Sequence, residues 1–197
     1  GSIDPMYFAG DRAEMQRIQQ VVAGLPGIDD SLSLQEVLAS DLSQYEGLLI
    51  PGGHAPLIDL ANNPQVGTLL KHFNQAGKPT AAICHGPIAL LSAQADPQGF
   101  EAVLARGEQP AAQDWTYQGY RMTIFSAPEE AVFEASLKGD KIRYYPGQAM
   151  SAAGGQLQYA DAWQPKVVVD RELITGQNPF SDHLLAKTLV EALNAQQ

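Results

Sequence analysis

Lys78-Pro79-Thr80-Ala81-Ala82-Ile83-Cys84-His85-Gly86-Pro87-Ile88-Ala89-Leu90-Leu91 reads as a short apolar strand, a sharp turn and then a helix. Gly86 allows a tight backbone approach, and Pro87 suits the first helical turn, where its missing N–H costs nothing. Cys84, the only cysteine of the 197 residues, falls on the turn itself. The unpaired N–H groups and dipole of a helix N-terminus favour negative charge there, so the thiol is expected to shift toward the reactive thiolate. Strand, turn and helix are also the setting of a nucleophile elbow, here with sulfur as the nucleophile. The competing reading is a buried cysteine that acts only as a small hydrophobe.

Outward from this stretch, strands alternate with helices. Asp11-Arg12-Ala13-Glu14 forms a capping box ahead of Met15, Ile18 and Val22 at helical spacing, with Gly24 and Pro26 ending the helix. A polar connector leads to Gly47-Leu48-Leu49-Ile50, an apolar run expected of a strand covered on both faces, which enters Pro51-Gly52-Gly53-His54. Asn63 and Pro64 open a helix with Val66, Leu69, Leu70 and Phe73 on one face, ending near Gly77. Residues 94–119 are looser, with a short helix around Phe100, Val103 and Leu104; over 94–120, Trp115, Tyr117 and Tyr120 suit either a lid or aromatic core packing. Arg121–Phe125 reads as a strand, followed by Ser126 and a helix. Val167–Val169 and Leu173–Thr175 flank Asp170-Arg171-Glu172 as a hairpin, and Ser181 caps a last helix with Leu184, Leu185, Leu189 and Leu193. This order predicts one doubly wound α/β domain over residues 1–197, whose ligands bind beyond the carboxyl ends of the parallel strands. Three such ends carry unusual residues: the Gly-Gly-His loop, Cys84-His85, and Glu129-Glu130.

A composition of 45% hydrophobic and 17% charged residues is that of an ordinary globular chain. Net charge −10 and a pI near 4.7 argue against nucleic acid or an anionic membrane as partner. No apolar run approaches the ~18 residues that span a bilayer, and one cysteine excludes an intramolecular disulfide. A cytoplasmic setting is therefore expected.

His85 is the candidate general base, since imidazole titrates nearest neutrality. His54 is read as a pocket-lining residue, His72 as solvated and His183 as structural. No histidine pair has metal-ligand spacing such as His-x-x-x-His, so no metal is expected. Gly52 and Gly53, with the His85 N–H, either form an oxyanion cradle or simply make a tight turn. Ser126-x-x-Glu129 is a capping box that gives Glu129 a sufficient structural role. Glu130 has none, and is read as the orienting acid of a Cys84–His85–Glu130 triad; a solvated first-turn glutamate is the alternative.

Leu49-Ile50-Pro51-Gly52-Gly53-His54, Ala82-Ile83-Cys84-His85-Gly86-Pro87 and Ile174-Thr175-Gly176-Gln177-Asn178-Pro179 resemble the ThiJ/PfpI superfamily, relatives of the class I glutamine amidotransferases. They are most similar to its glutathione-independent class III glyoxalases and heat-shock chaperones. The resemblance implies a flavodoxin-like sandwich, a homodimer, a small aldehyde substrate, no cofactor, and Glu130 as the acid, with Asn178 joining Gly52, Gly53 and His54 around the substrate. It implies conversion of methylglyoxal or a related 2-oxoaldehyde to a 2-hydroxy acid. The alternatives are a chaperone or cysteine redox sensor without turnover and, more remotely, an amidase or peptidase. Members begin with a strand and a helix whose glutamate contacts the cysteine; Gly1-Ser2-Ile3-Asp4-Pro5 resembles the segment after that region, so residues 1–197 read as N-terminally incomplete relative to the family.

Overall fold

A parallel pair of short strands carries the functional loops, and the residues around it explain why. The structure is a computed structural model that describes residues 10–137, 139 and 141–196. The chain forms two compact units, Gly1–Ser40 and Asp41–Gln197. In the first, α1 (Arg12–Ala23) is capped by Asp11, whose side chain accepts from the Glu14 N–H at 3.0 Å. The polar connector then contains a helix the periodicity does not reveal, α2 (Leu34–Ala39), opened by a Ser33/Glu36 capping box.

The second unit holds a four-stranded sheet of β1 (Leu48–Ile50), β2 (Thr80–Ile83), β5 (Val167–Asp170) and β6 (Leu173–Gly176). Their order is β1-β2-β6-β5; β1, β2 and β6 run parallel, and β5 pairs antiparallel with β6 as the expected hairpin. This is a flavodoxin-like α/β arrangement with a mostly parallel sheet. Between β1 and β2 lie α3 (Pro56–Asp59) and α4 (Pro64–Gln75), the latter capped by Asn63 through the Gln65 N–H. The predicted apolar face of α4 is buried through Val66, Leu69, Leu70 and Phe73. After β2 the chain turns at Cys84-His85 into a 3-10 helix, Gly86–Ala93, and then α5 (Pro97–Ala105).

Four expectations need correction. Leu49 of β1 is 54% exposed, so that edge strand is not covered on both faces. The strand expected over Arg121–Phe125 shrinks to β3 (Arg121–Met122), which pairs with β4 (Gln156–Leu157) in a separate two-stranded sheet. Beyond it the Thr123 N–H donates to the Thr175 side chain and the Phe125 N–H to the Cys84 carbonyl, single bonds in place of a ladder. Ser181 sits at the start of α8 (Asp182–Asn194) without capping it, because its hydroxyl accepts from the Lys166 N–H. On α8 only Leu185 is buried, packed with Ala81 and Ile174, whereas Leu184 faces outward. The remaining helices are α6 (Ala127–Ser136) and α7 (Pro146–Ala152).

Trp115, Tyr117 and Tyr120 prove to be core rather than lid. All three are buried, with the Trp115 indole N–H donating to the Leu90 carbonyl and the Tyr117 hydroxyl to the Leu70 carbonyl. Among the described residues no helix is long and apolar enough to cross a membrane.

Candidate active site

The backbone at Cys84 has the strain of an elbow: φ is +61°, a left-handed conformation that a non-glycine residue rarely adopts. Two glycines make room for it. A Cβ on Gly86 would stand 2.7 Å from the Ile50 carbonyl oxygen and 2.8 Å from that of Pro51, so only glycine lets the turn pass the end of β1. A Cβ on Gly52 would stand 2.6 Å from the Cys84 Cβ and 3.4 Å from its Sγ. Gly52 thus acts by lacking a side chain, while the Gly53 and His85 backbone N–H groups point at the sulfur. Gly52→Ala should accordingly destabilise the fold by about 1–3 kcal/mol, the usual cost of overpacking. Denaturant midpoints measure this, and a variant as stable as the parent would show that the elbow can move aside.

Cys84 is nearly buried, and burial pushes its thiol up to about 11. The Gly53 and His85 N–H groups pull the other way, while Glu129 and Glu130 add to the rise. This reverses the expectation of a thiol shifted toward thiolate: the turn leads into a 3-10 helix, and desolvation outweighs the local dipoles. The iodoacetamide alkylation rate of Cys84 should therefore climb about tenfold per pH unit from neutrality, following the thiolate fraction, with no plateau before about pH 11. A plateau near pH 7 would mean that the dipoles win.

A thiol held protonated needs a base, and one is in place. His85 Nδ1 lies 3.4 Å from Cys84 Sγ, and His85 Nε2 lies 2.6 Å from Glu130 Oε2. His85 and Glu130 are both buried. Burial alone would raise the Glu130 carboxyl, but hydrogen bonds from His54 and His85 and their charge bring it down to about 2. A carboxylate only accepts, so the facing His85 nitrogen is the protonated one; in the neutral form of the ring, Nδ1 then presents its lone pair to the sulfur. His85 also packs against Phe125, with ring centroids 4.5 Å apart.

His54 does more than line the pocket. Its Nε2 reaches the second oxygen of the same carboxylate, Glu130 Oε1, at 3.1 Å, while its ring stacks on Phe133 at 3.9 Å and lies 4.2 Å from the His85 ring. The Gly-Gly-His loop, the elbow and Glu130 therefore meet, although Glu130 comes from the first turn of α6 and not from the end of a strand of the main sheet. No sequence signal joins His54 to Glu130, which lies 76 positions away. Together His54, His85 and Glu130 also form a cluster whose ligand atoms all lie within 4.8 Å of one another, a grouping that sequence spacing does not reveal.

Glu129 and Asn178 form a second centre. Glu129 is fully buried and keeps its expected capping contact with the Ser126 N–H at 2.8 Å. It also accepts from the Trp163 N–H at 2.7 Å, the Asn178 amide at 2.7 Å and the Gln177 amide at 3.3 Å. Asn178, expected beside the substrate, is instead buried with its amide hydrogens on Glu129 and the Gln164 carbonyl. Of the other histidines, His183 is exposed and bonded to Asp182. His72 departs from the solvated reading: its Nε2 is buried and meets no hydrogen-bond partner among the described residues. A cavity of about 520 Å³ lined by Phe125, Tyr145, Leu157 and Tyr159 adjoins this region, but Cys84, His85 and Glu130 do not line it. The candidate site is therefore centred on the Cys84 thiol and the His85 ring that faces it.

A parallel α/β sheet with a strained cysteine turn backed by histidine and a buried carboxylate defines a class, the flavodoxin-like proteins with a nucleophile elbow. Comparison with known proteins agrees on the fold. The profile of the DJ-1/PfpI family matches residues 13–98. The Staphylococcus aureus protein/nucleic acid deglycase HchA is 28% identical over 170 residues, covering 83% of this chain and 53% of the relative. A Bos taurus glutamine amidotransferase-like class 1 domain-containing protein is 28% identical over 144 residues, covering 72% of this chain and 56% of the relative. The chain thus spans about half the length of these curated relatives. Among solved structures, the rapid encystment protein of Francisella tularensis superposes with a TM-score of 0.71 at 24% identity, over 97% of this chain and 76% of that one. The glyoxalase III of Candida albicans gives 0.64 at 20% identity, over 91% and 70%. Over these stretches the chain is similar to members of the DJ-1/PfpI family, in keeping with the ThiJ/PfpI resemblance of its cysteine motif.

Proposed function

We propose that Cys84, His85 and Glu130 convert a small 2-oxoaldehyde such as methylglyoxal to a 2-hydroxy acid without glutathione. The observation that carries this reading is the single line from Sγ through both His85 nitrogens to Glu130. His85 Nδ1 takes the thiol proton as sulfur adds to the aldehyde carbon, giving a hemithioacetal whose oxygen meets the Gly53 and His85 N–H groups. His85 then moves the proton from that carbon to the neighbouring carbonyl carbon through an enediol, leaving a thioester beside a hydroxyl-bearing carbon. Water cleaves the thioester, releasing the 2-hydroxy acid and restoring the thiol. The sum is aldehyde plus water to acid, an internal oxidation and reduction that needs no outside electron carrier.

The deglycase and glyoxalase names of the relatives favour this chemistry over the others. A redox sensor wants an accessible low-pKa thiol, whereas Cys84 is nearly buried and its thiol is raised. An amidase that draws its histidine from the C-terminal region would use His183, which is exposed and bonded to its own neighbour Asp182. The test is to incubate the purified chain with methylglyoxal and no added thiol. Loss of aldehyde with formation of lactate is expected; stable aldehyde would overturn the proposal.

A further inference from the structure

Glu130 serves two imidazoles at once, which an orienting acid for His85 alone does not require. One oxygen faces His85 Nε2 and the other faces His54 Nε2. Two nitrogens and one carboxylate oxygen, all within 4.8 Å of one another, are the donor set that suits zinc and similar divalent first-row ions. The half-exposed His54 side chain offers a path from solvent to two ligands that are otherwise buried.

We propose that His54 Nε2, His85 Nε2 and a Glu130 oxygen bind a divalent metal ion of the zinc type, and that this ion switches off the Cys84 site. The proton balance follows from imidazole chemistry. To coordinate through Nε2, each neutral ring shifts its one proton to Nδ1 and releases none. On His85 that proton then faces Cys84 Sγ, across the 3.4 Å gap where the free protein presents a lone pair. With both nitrogens occupied, His85 can neither accept the thiol proton nor carry one between substrate carbons. The sulfur lies on the Nδ1 side of the ring, away from the ion, and is no ligand. The switching half of the proposal rests on the aldehyde chemistry above, whereas the binding half does not.

Calorimetric titration with zinc chloride tests the binding. One ion per chain is expected for the wild type and equally for Cys84→Ala. His54→Ala and Glu130→Gln should each weaken binding at least about tenfold, as loss of one ligand does. Cobalt substituted for zinc should give a visible spectrum without a thiolate-to-metal charge-transfer band. Loss of binding in Cys84→Ala, unchanged binding in His54→Ala, or no binding at millimolar zinc would each overturn the site. Zinc should also stop aldehyde turnover, and a chelator should restore it. Binding as described with turnover unaffected by zinc would overturn the switch alone. A chain that binds zinc but turns over no aldehyde would overturn the function proposed above while the metal site stands.

Discussion

Cys84→Ala is expected to abolish 2-oxoaldehyde turnover, with a loss on the order of 10⁴-fold, because covalent addition has no other nucleophile to use. Cys84 is the only cysteine in the chain, so no second thiol can substitute. The variant should still fold. Alanine removes one sulfur atom, leaves Gly52 its space, and keeps the Phe125 N–H bond to the residue 84 carbonyl, which is a backbone contact. Methylglyoxal depletion measured beside a thermal melt separates the two effects. Activity within tenfold of wild type in a folded variant would mean that the chemistry belongs elsewhere. Cys84→Ser makes the test sharper: a hydroxyl is far harder to deprotonate than a thiol, so His85 alone should not rescue it.

The elbow is legible because its chemistry is local. Gly86 and Pro87 follow Cys84 directly, and the close approach of Gly86 to the Ile50 and Pro51 carbonyls is what such a sequence implies. Choosing Glu130 over Glu129 is also legible, since the capping box assigns Glu129 to Ser126 and leaves its neighbour free to reach His85. Electrostatics is not legible in the same way. A helix N-terminus suggests a thiolate, but whether the thiol is desolvated depends on loops far apart in the chain, and here burial wins. The bond between His54 and Glu130 is invisible for the same reason, as it joins residues 76 positions apart without any periodic pattern. Among the elements, α2 carried a readable signal in Ser33-x-x-Glu36, whereas α3 is only four residues long, too short for periodicity to register. The Arg121–Phe125 run has strand composition, yet Thr123 bonds to the Thr175 side chain and leaves the ladder, a tertiary choice that composition does not encode.

Glu129→Ala is expected to destabilise the fold by at least about 3 kcal/mol, because it strands several buried donors together. The carboxylate joins three segments that sequence separates: the Ser126 N–H at the start of α6, the Trp163 N–H, and the amides of Gln177 and Asn178 after β6. Trp163 is held there with φ +65°, a strained conformation for a bulky residue that its bond to Glu129 helps to sustain. Its indole packs edge-on against Phe125, which in turn packs on His85. Losing Glu129 should therefore loosen the wall beside the base as well as the α6 start that carries Glu130. Denaturant unfolding measures the stability change. Glu129→Gln keeps the volume and one acceptor oxygen, but its amide nitrogen would face donors on the other side, so it should recover only part of the loss. An alanine variant as stable as wild type would show that the three segments are held by their remaining contacts, and that Glu129 is only a helix cap.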